Sequence, residues 1–152
     1  MSHNKVFIIA EAGINHNGSL KNALKLVDIA SKTGADAIKF QTFKSELVIS
    51  KGAPLAEYQR RNLKNNEPQY EMAKKLELDE QSFKEIKQYC DHKNIEFFST
   101  AFDLPSLNML LDLGQRIIKI PSGEITNLPF LEFVSSMKKD ILLSTGMCHL
   151  HE

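Results

Sequence analysis

The chain has 152 residues, of which 42% are hydrophobic and 25% charged, the mixture of a soluble globular protein. Lys plus Arg and Asp plus Glu each total 19, and this zero balance argues against a nucleic-acid or anionic-membrane partner, which draws on a basic excess. No apolar run reaches the roughly 20 residues needed to cross a bilayer, the stretch from Met1 to Glu11 is no signal peptide, and the two cysteines, Cys90 and Cys148, make no disulfide framework, so a reduced cytoplasmic setting is expected.

Along the chain, strand-like and helix-like patterns alternate. Val6 to Ala12 is a short apolar run followed by a polar turn bracketed by Gly13 and Gly18, which reads as a strand and its exit loop. Leu20, Leu24, Val27 and Ala30 recur at helical spacing, with Ser19 placed to cap and Gly34 to stop the helix. Ala37 to Phe43 reads as the second strand. The span from Lys44 to Asn66 breaks the rhythm with Gly52, Pro54 and dense charge; a connection of that length is more often a functional lid than a passive link, and a short helix is expected from Leu55 to Arg61. Residues 79–93 read as a helix with Phe83, Ile86 and Cys90 on one face, Ile95 to Thr100 as a strand, and Leu104 to Leu113 as a helix stopped by Gly114. Arg116 to Ile120 and Ile141 to Ser144 read as strands around a helix from Leu128 to Lys138.

Strand–helix–strand alternation implies a parallel sheet with right-handed crossovers, either open and doubly wound or closed as a barrel. The second strand chooses between them. Ile38 and Phe40 share one face while Lys39 and Gln41 share the other; a central strand of an open sheet is apolar on both faces, whereas a barrel strand can turn polar groups inward near its C-terminal end. The expected fold is therefore an incomplete α/β TIM (β/α)8-type barrel: 152 residues carry about five β/α units, where a complete barrel takes about 250 residues.

Parallel strands bring their C-terminal ends to one rim. Glu11 with the loop to Gly18, Lys39 and Gln41, Ser99, Thr100 and Asp103, Lys119 with Pro121 to Glu124, and Ser144 to Gly146 all fall there. Singly, each has an ordinary reading as a snorkelling lysine, a turn or a surface ion pair. Together, two lysines beside hydroxyl- and glycine-rich turns suit a multiply charged oxyanion such as a phosphate or carboxylate. Glu11 and Glu124 add carboxylates able to bind a polyol or handle protons.

The blocks Ile9 to Gly18, Lys39 to Phe43, Phe98 to Asp103, Lys119 to Asn127 and Leu143 to Met147 resemble, in order and spacing, the sialic acid synthase family, whose members make neuraminic, legionaminic or pseudaminic acids. The stretches Ala53 to Gln59 and Gln69 to Met72 look more like the neuraminate/legionaminate branch. The resemblance implies condensation of phosphoenolpyruvate with an N-acetylated mannosamine-type sugar to a nine-carbon 2-keto acid, with phosphate release. It implies that Lys39, Lys119, Ser122 and Ser144 bind phosphoenolpyruvate. Glu11, Gln41, Thr100 and Glu124 then contact the sugar or reacting centre, joined by Asn65 or Asn66 from the long loop; Glu11, Glu124 and Lys119 are the expected catalytic groups. A divalent metal, Mn or Mg, is expected for the full-length family enzyme with its ligands outside this chain, His149 and His151 being incidental. Residues 1–152 are expected to form the first part of the barrel, without the later strands and the C-terminal antifreeze-like domain of many relatives, and to associate as a homo-oligomer through open edges. Two other readings remain: a catalytically incompetent fragment that keeps the anion cleft or serves in assembly, and another barrel sugar-acid aldolase.

Overall fold

A computed structural model describes residues 6–54 and 68–151. The strands are β1 (Ile9–Gly13), β2 (Ala37–Thr42), β3 (Glu96–Ala101), β4 (Ile117–Ile120) and β5 (Asp140–Leu143). The helices are α1 (Leu20–Lys32), α2 (Ser45–Val48), α3 (Gln69–Leu76), α4 (Glu80–His92), α5 (Leu104–Asp112) and α6 (Leu128–Ser136), with a 3-10 turn at Ser122–Glu124. Four helices begin where a short polar side chain can accept from a free backbone N–H three residues on: Ser19 from Asn22, Asp79 from Ser82, Asp103 from Ser106 and Asn127 from Phe130. The strands expected from pattern are all present, β1 beginning at Ile9 rather than Val6 and β3 and β5 shifted by a residue. The helix expected at Leu55 to Arg61 lies outside the described residues. α2 falls inside the span from Lys44 to Asn66 and α3 lies just after it, where no element was expected: Lys74 of α3 reaches both Glu46 and Glu77 at 3.0 Å, and Glu77 accepts from the Ser45 N–H at 2.7 Å.

The sheet is parallel throughout and its strand order is β1-β2-β3-β4-β5. An order that follows the chain never reverses, so crossovers of one hand place all helices on one side, the layout of a barrel wall rather than of a doubly wound sheet. The packed side bears this out. Ala12, Ile38, Phe40, Phe97, Ala101, Ile118 and Ile120 meet Ala23, Val27, Phe83, Ile86, Cys90, Leu107, Leu110, Phe130 and Val134 in one cluster. Burying each large apolar side chain contributes roughly 1.5–3 kcal/mol. Strand residues of the opposite parity, among them Lys39, Phe98 and Lys119, fall outside that cluster.

Among the described residues, no helix is long and apolar enough to cross a membrane.

Candidate active site

Residues paired across a parallel ladder point to the same side of the sheet. Glu11 pairs with Lys39, and Lys39 with Phe98. One step further along, Gln41 pairs with Thr100, Thr100 with Lys119, and Lys119 with Leu142. Glu11, Lys39, Gln41, Thr100 and Lys119 therefore share the face turned away from the helices, and Ser144, two residues beyond Leu142, follows them. Phe98, buried at 1% exposure, lies at the level of Lys39 and forms an apolar floor there. Its two-residue spacing from Thr100 is the sequence signal that places it on this face.

Lys39 has little solvent: its side chain is 11% exposed, it pairs with Glu11, and it reaches Thr100 Oγ1 at 3.4 Å. Glu11 is itself half-exposed, so water screens the pair and its net contribution to stability is small. Lys119 donates to Ser144 Oγ at 2.7 Å and to the Ile120 carbonyl at 2.6 Å, using two of an ammonium's three donors. Its pKa lies below that of an ordinary lysine, first because of burial and next because of the charge on Lys39, with Glu11 opposing. Thr100, bonded to Lys39 and paired with Lys119, puts the two ammonium groups on one rim.

Loops after the strands close the site. A β-carbon on Gly13 would stand 3.4 Å from Glu11 Oε1 and 3.7 Å from Gln41 Nε2, so the Glu11 carboxylate and Gln41 amide border one turn; a β-carbon on Gly146 would stand 3.7 Å from Ser122 Oγ. Ser122 thus faces the loop that follows Ser144. Glu124, at the end of the 3-10 turn, accepts from Asn127 Nδ2 at 2.6 Å, and Asn127 also caps α6.

Some rim residues serve structure instead. Ser99 points to the helix side, where it meets Thr42 Oγ1 at 2.7 Å and its backbone N–H and carbonyl bond the Gln115 amide; it is not part of the site. Asp103 accepts from the Lys44 and Ser106 backbone N–H groups and from Ser106 Oγ, which fixes the start of the long connection. The His149 and His151 rings stack at 5.4 Å. No three His, Cys, Asp or Glu side chains gather as a coordination set among the described residues. Asn65 and Asn66 lie outside the described residues. A hollow of about 640 Å³ between Asp36, Lys87, Glu96 and Arg116 sits where strands begin, at the end opposite the polar rim.

Comparison with known proteins fits this geometry. The model of the NeuB family matches residues 26–152. N,N'-diacetyllegionaminic acid synthase of Campylobacter jejuni is 51% identical over 97% of this chain and 44% of its own length; its namesake in Legionella pneumophila is 49% identical over 96% of this chain and 41% of its own. A crystal structure of N-acetylneuraminic acid synthetase from Leptospira borgpetersenii, in complex with citrate, superposes with a TM-score of 0.81 at 38% identity, over 97% of this chain and 47% of that one. The chain thus spans less than half the length of the relatives it matches.

Proposed function

The chain belongs to the NeuB family, and from that premise we propose that it provides the anion-binding wall of a phosphoenolpyruvate-condensing synthase that makes a sialic or legionaminic acid. The observation that carries this reading is the convergence of Lys39 and Lys119 on one face, with Thr100, Ser122 and Ser144 beside them. Phosphoenolpyruvate presents a phosphate and a carboxylate on three carbons. Two fixed ammonium groups match those charges, and hydroxyls from Ser122 and Ser144 add neutral donors. The similarity to the Campylobacter and Leptospira synthases points to an N-acetylated amino sugar as the second substrate.

In the proposed reaction, C3 of phosphoenolpyruvate bonds to the aldehyde carbon of the open-chain sugar, whose oxygen takes up a proton. Water adds to the cationic C2, and the tetrahedral centre collapses to the 2-keto acid as its C–O bond to phosphate breaks. On this reading Glu11, Gln41, Thr100 and Glu124 meet the sugar hydroxyls and the reacting carbons, with Glu11 and Glu124 carrying the protons. Lys119 and Lys39 hold their charges in place through the step, so stabilisation of the anion needs no reorganisation. A divalent metal such as Mn or Mg would supply Lewis acidity at the aldehyde. The described residues do not gather a coordination set for it, so no step is routed through it. We place the protein in the cytoplasm, as a homo-oligomer, on its free Cys90 and Cys148 and the exposed apolar side chains of the outer strands.

Calorimetric titration with phosphoenolpyruvate tests the reading. Lys119→Ala is expected to weaken binding about 10- to 100-fold, the span of one charge-assisted hydrogen bond, with the melting temperature nearly unchanged. An affinity equal to that of the parent chain would overturn the assignment. A second reading, an aldolase, draws on the lowered pKa of Lys119, which would favour Schiff-base chemistry. Reductive trapping of pyruvate on Lys119 would support it; phosphate release from phosphoenolpyruvate in the presence of N-acetylmannosamine and manganese would support the synthase, and anion binding with neither would mark a fragment that binds without turnover.

A further inference from the structure

The turn between β1 and α1 is clamped from two sides. On one side lies His16, 1% exposed, its ring 6.2 Å from that of Phe40. Phe40 stands between Lys39 and Gln41 in β2 and is the register partner of Gly13. On the other side Gly18, at φ +69°, backs onto α3 so closely that a β-carbon would stand 2.1 Å from the Lys75 carbonyl oxygen; glycine alone fits that approach and that dihedral. The two clamps are joined: the Gly18 N–H donates to His16 Nδ1 at 3.1 Å. The His16 carbonyl in turn accepts from the Ser19 N–H at 3.0 Å and from Asn22 Nδ2 at 3.3 Å.

A ring nitrogen that accepts carries no proton, so His16 is neutral with its hydrogen on Nε2. Burial, which lowers its pKa, favours the same state. Yet Nε2 is buried without a hydrogen-bond partner among the described residues. A side chain needed for packing alone would be better served by a phenyl ring, which fills similar space without an unpaired N–H. The Nδ1 acceptor must therefore offset that cost.

The consequence falls on the rim. Pairing between β1 and β2 is regular up to Glu11 and Lys39, then slips before Gly13 and Phe40, so the shape of the turn sets how the Glu11 carboxylate leaves its strand. Glu11 is half-exposed, and its ion pair with Lys39 is what fixes its end. We propose that His16 is a positioning residue for the anion site: accepting from Gly18 while lying on Phe40, it holds the turn in the shape that keeps Glu11 on Lys39. This rests on the reading of Lys39 as a phosphoenolpyruvate ligand.

Two variants of the full chain separate acceptor from ring. His16→Phe keeps the ring and loses the acceptor. His16→Asn places an oxygen at the same bond distance from Cα as Nδ1 and loses the ring. Calorimetry with phosphoenolpyruvate, amide exchange at Gly18 and melting temperature are read for both. His16→Phe should weaken binding two- to tenfold, the span of one ordinary hydrogen bond, and speed Gly18 exchange at a near-parental melting temperature; His16→Asn should melt earlier and keep its affinity. Affinity that instead follows melting temperature, or that changes in neither variant, overturns the proposal. Failure of the parent chain to bind phosphoenolpyruvate counts against the anion site itself, and Gly18 exchange then decides alone whether His16 holds the turn.

Discussion

The two lysines of the anion site sit on unequal ground. Lys39 belongs to β2, which pairs residue for residue with β3 from Ala37 and Glu96 to Thr42 and Ala101, beneath a layer in which Phe83, Ile86 and Cys90 of α4 are almost fully buried. Lys119 belongs to β4, registered to β3 at Thr100 and Lys119. The Gln115 amide strengthens that junction from the side, accepting from the Ser99 N–H and donating to the Ser99 and Ile117 carbonyls. Beyond it β5 is open, with Ile141, Leu142 and Leu143 exposed at 42, 38 and 52%. One ammonium is fixed by the packing of its strand; the other depends on side-chain bonds to Ser144 and Gln115's hold on β4.

The contrast breaks most visibly under truncation. Phe83→Ala opens a cavity in the packed half and should cost about 3–5 kcal/mol of unfolding free energy in a urea titration. Leu143→Ala removes a half-exposed side chain and should cost less than about 1 kcal/mol. Equal losses would mean that the outer strands are supported as well as the inner ones.

Thiol chemistry gives a finer reading of the same difference. Cys90 lies on the core-facing side of α4, its thiol pushed up to about 12 by burial and then by Asp91. Cys148, half-buried, follows β5 with Sγ 3.4 Å from the Gly146 carbonyl and 3.8 Å from that of Ser122. At about pH 8 a disulfide reagent should label Cys148 in the folded protein and Cys90 at the rate of global unfolding. Labelling of both at one rate would show that the β2–β3 half opens locally.

How far the sequence foretold this depends on which physical signal each feature used. Strands with one polar face, such as Ala37 to Thr42, announced both their existence and their direction, because a lysine and a glutamine at two-residue spacing cannot both be core. The C-terminal ends of parallel strands gathered Glu11, Lys39, Gln41, Thr100 and Lys119 on one rim in advance of any coordinates. Ser99 misled because a hydroxyl one residue from Thr100 was read by chemistry, when its parity sends it to the helix side. α2 and α3 were missed because the contacts that join them, Lys74 with Glu46 and the Ser45 N–H with Glu77, span residues distant in sequence. β5 was recognised as a strand from its apolar run, yet its exposure depends on what flanks it, which composition does not encode. His16 gave no signal at all beyond a polar loop, since its burial follows from Phe40, two strands' worth of chain away.

The smallest effect tests whether His16 belongs to the well-packed half. Its folded-state pKa is lowered from 6.5 by burial, so as pH falls below 6.5 the unfolded chain takes up the proton first. Stability from this group is therefore complete above that value and is lost as pH falls toward the folded-state pKa. Two aspartates with lowered pKa values act elsewhere on the scale. Asp28 is held down by hydrogen bonds from Lys93 and then Tyr89, and Asp79 by the Ser82 hydrogen bonds, so their losses start near the ordinary aspartate value of 3.8. Between about pH 7 and pH 5 the urea midpoint should drift downward in the parent chain and stay flatter in His16→Phe, which has no proton to take up at position 16. A drift of equal slope in the variant would assign the proton to another group.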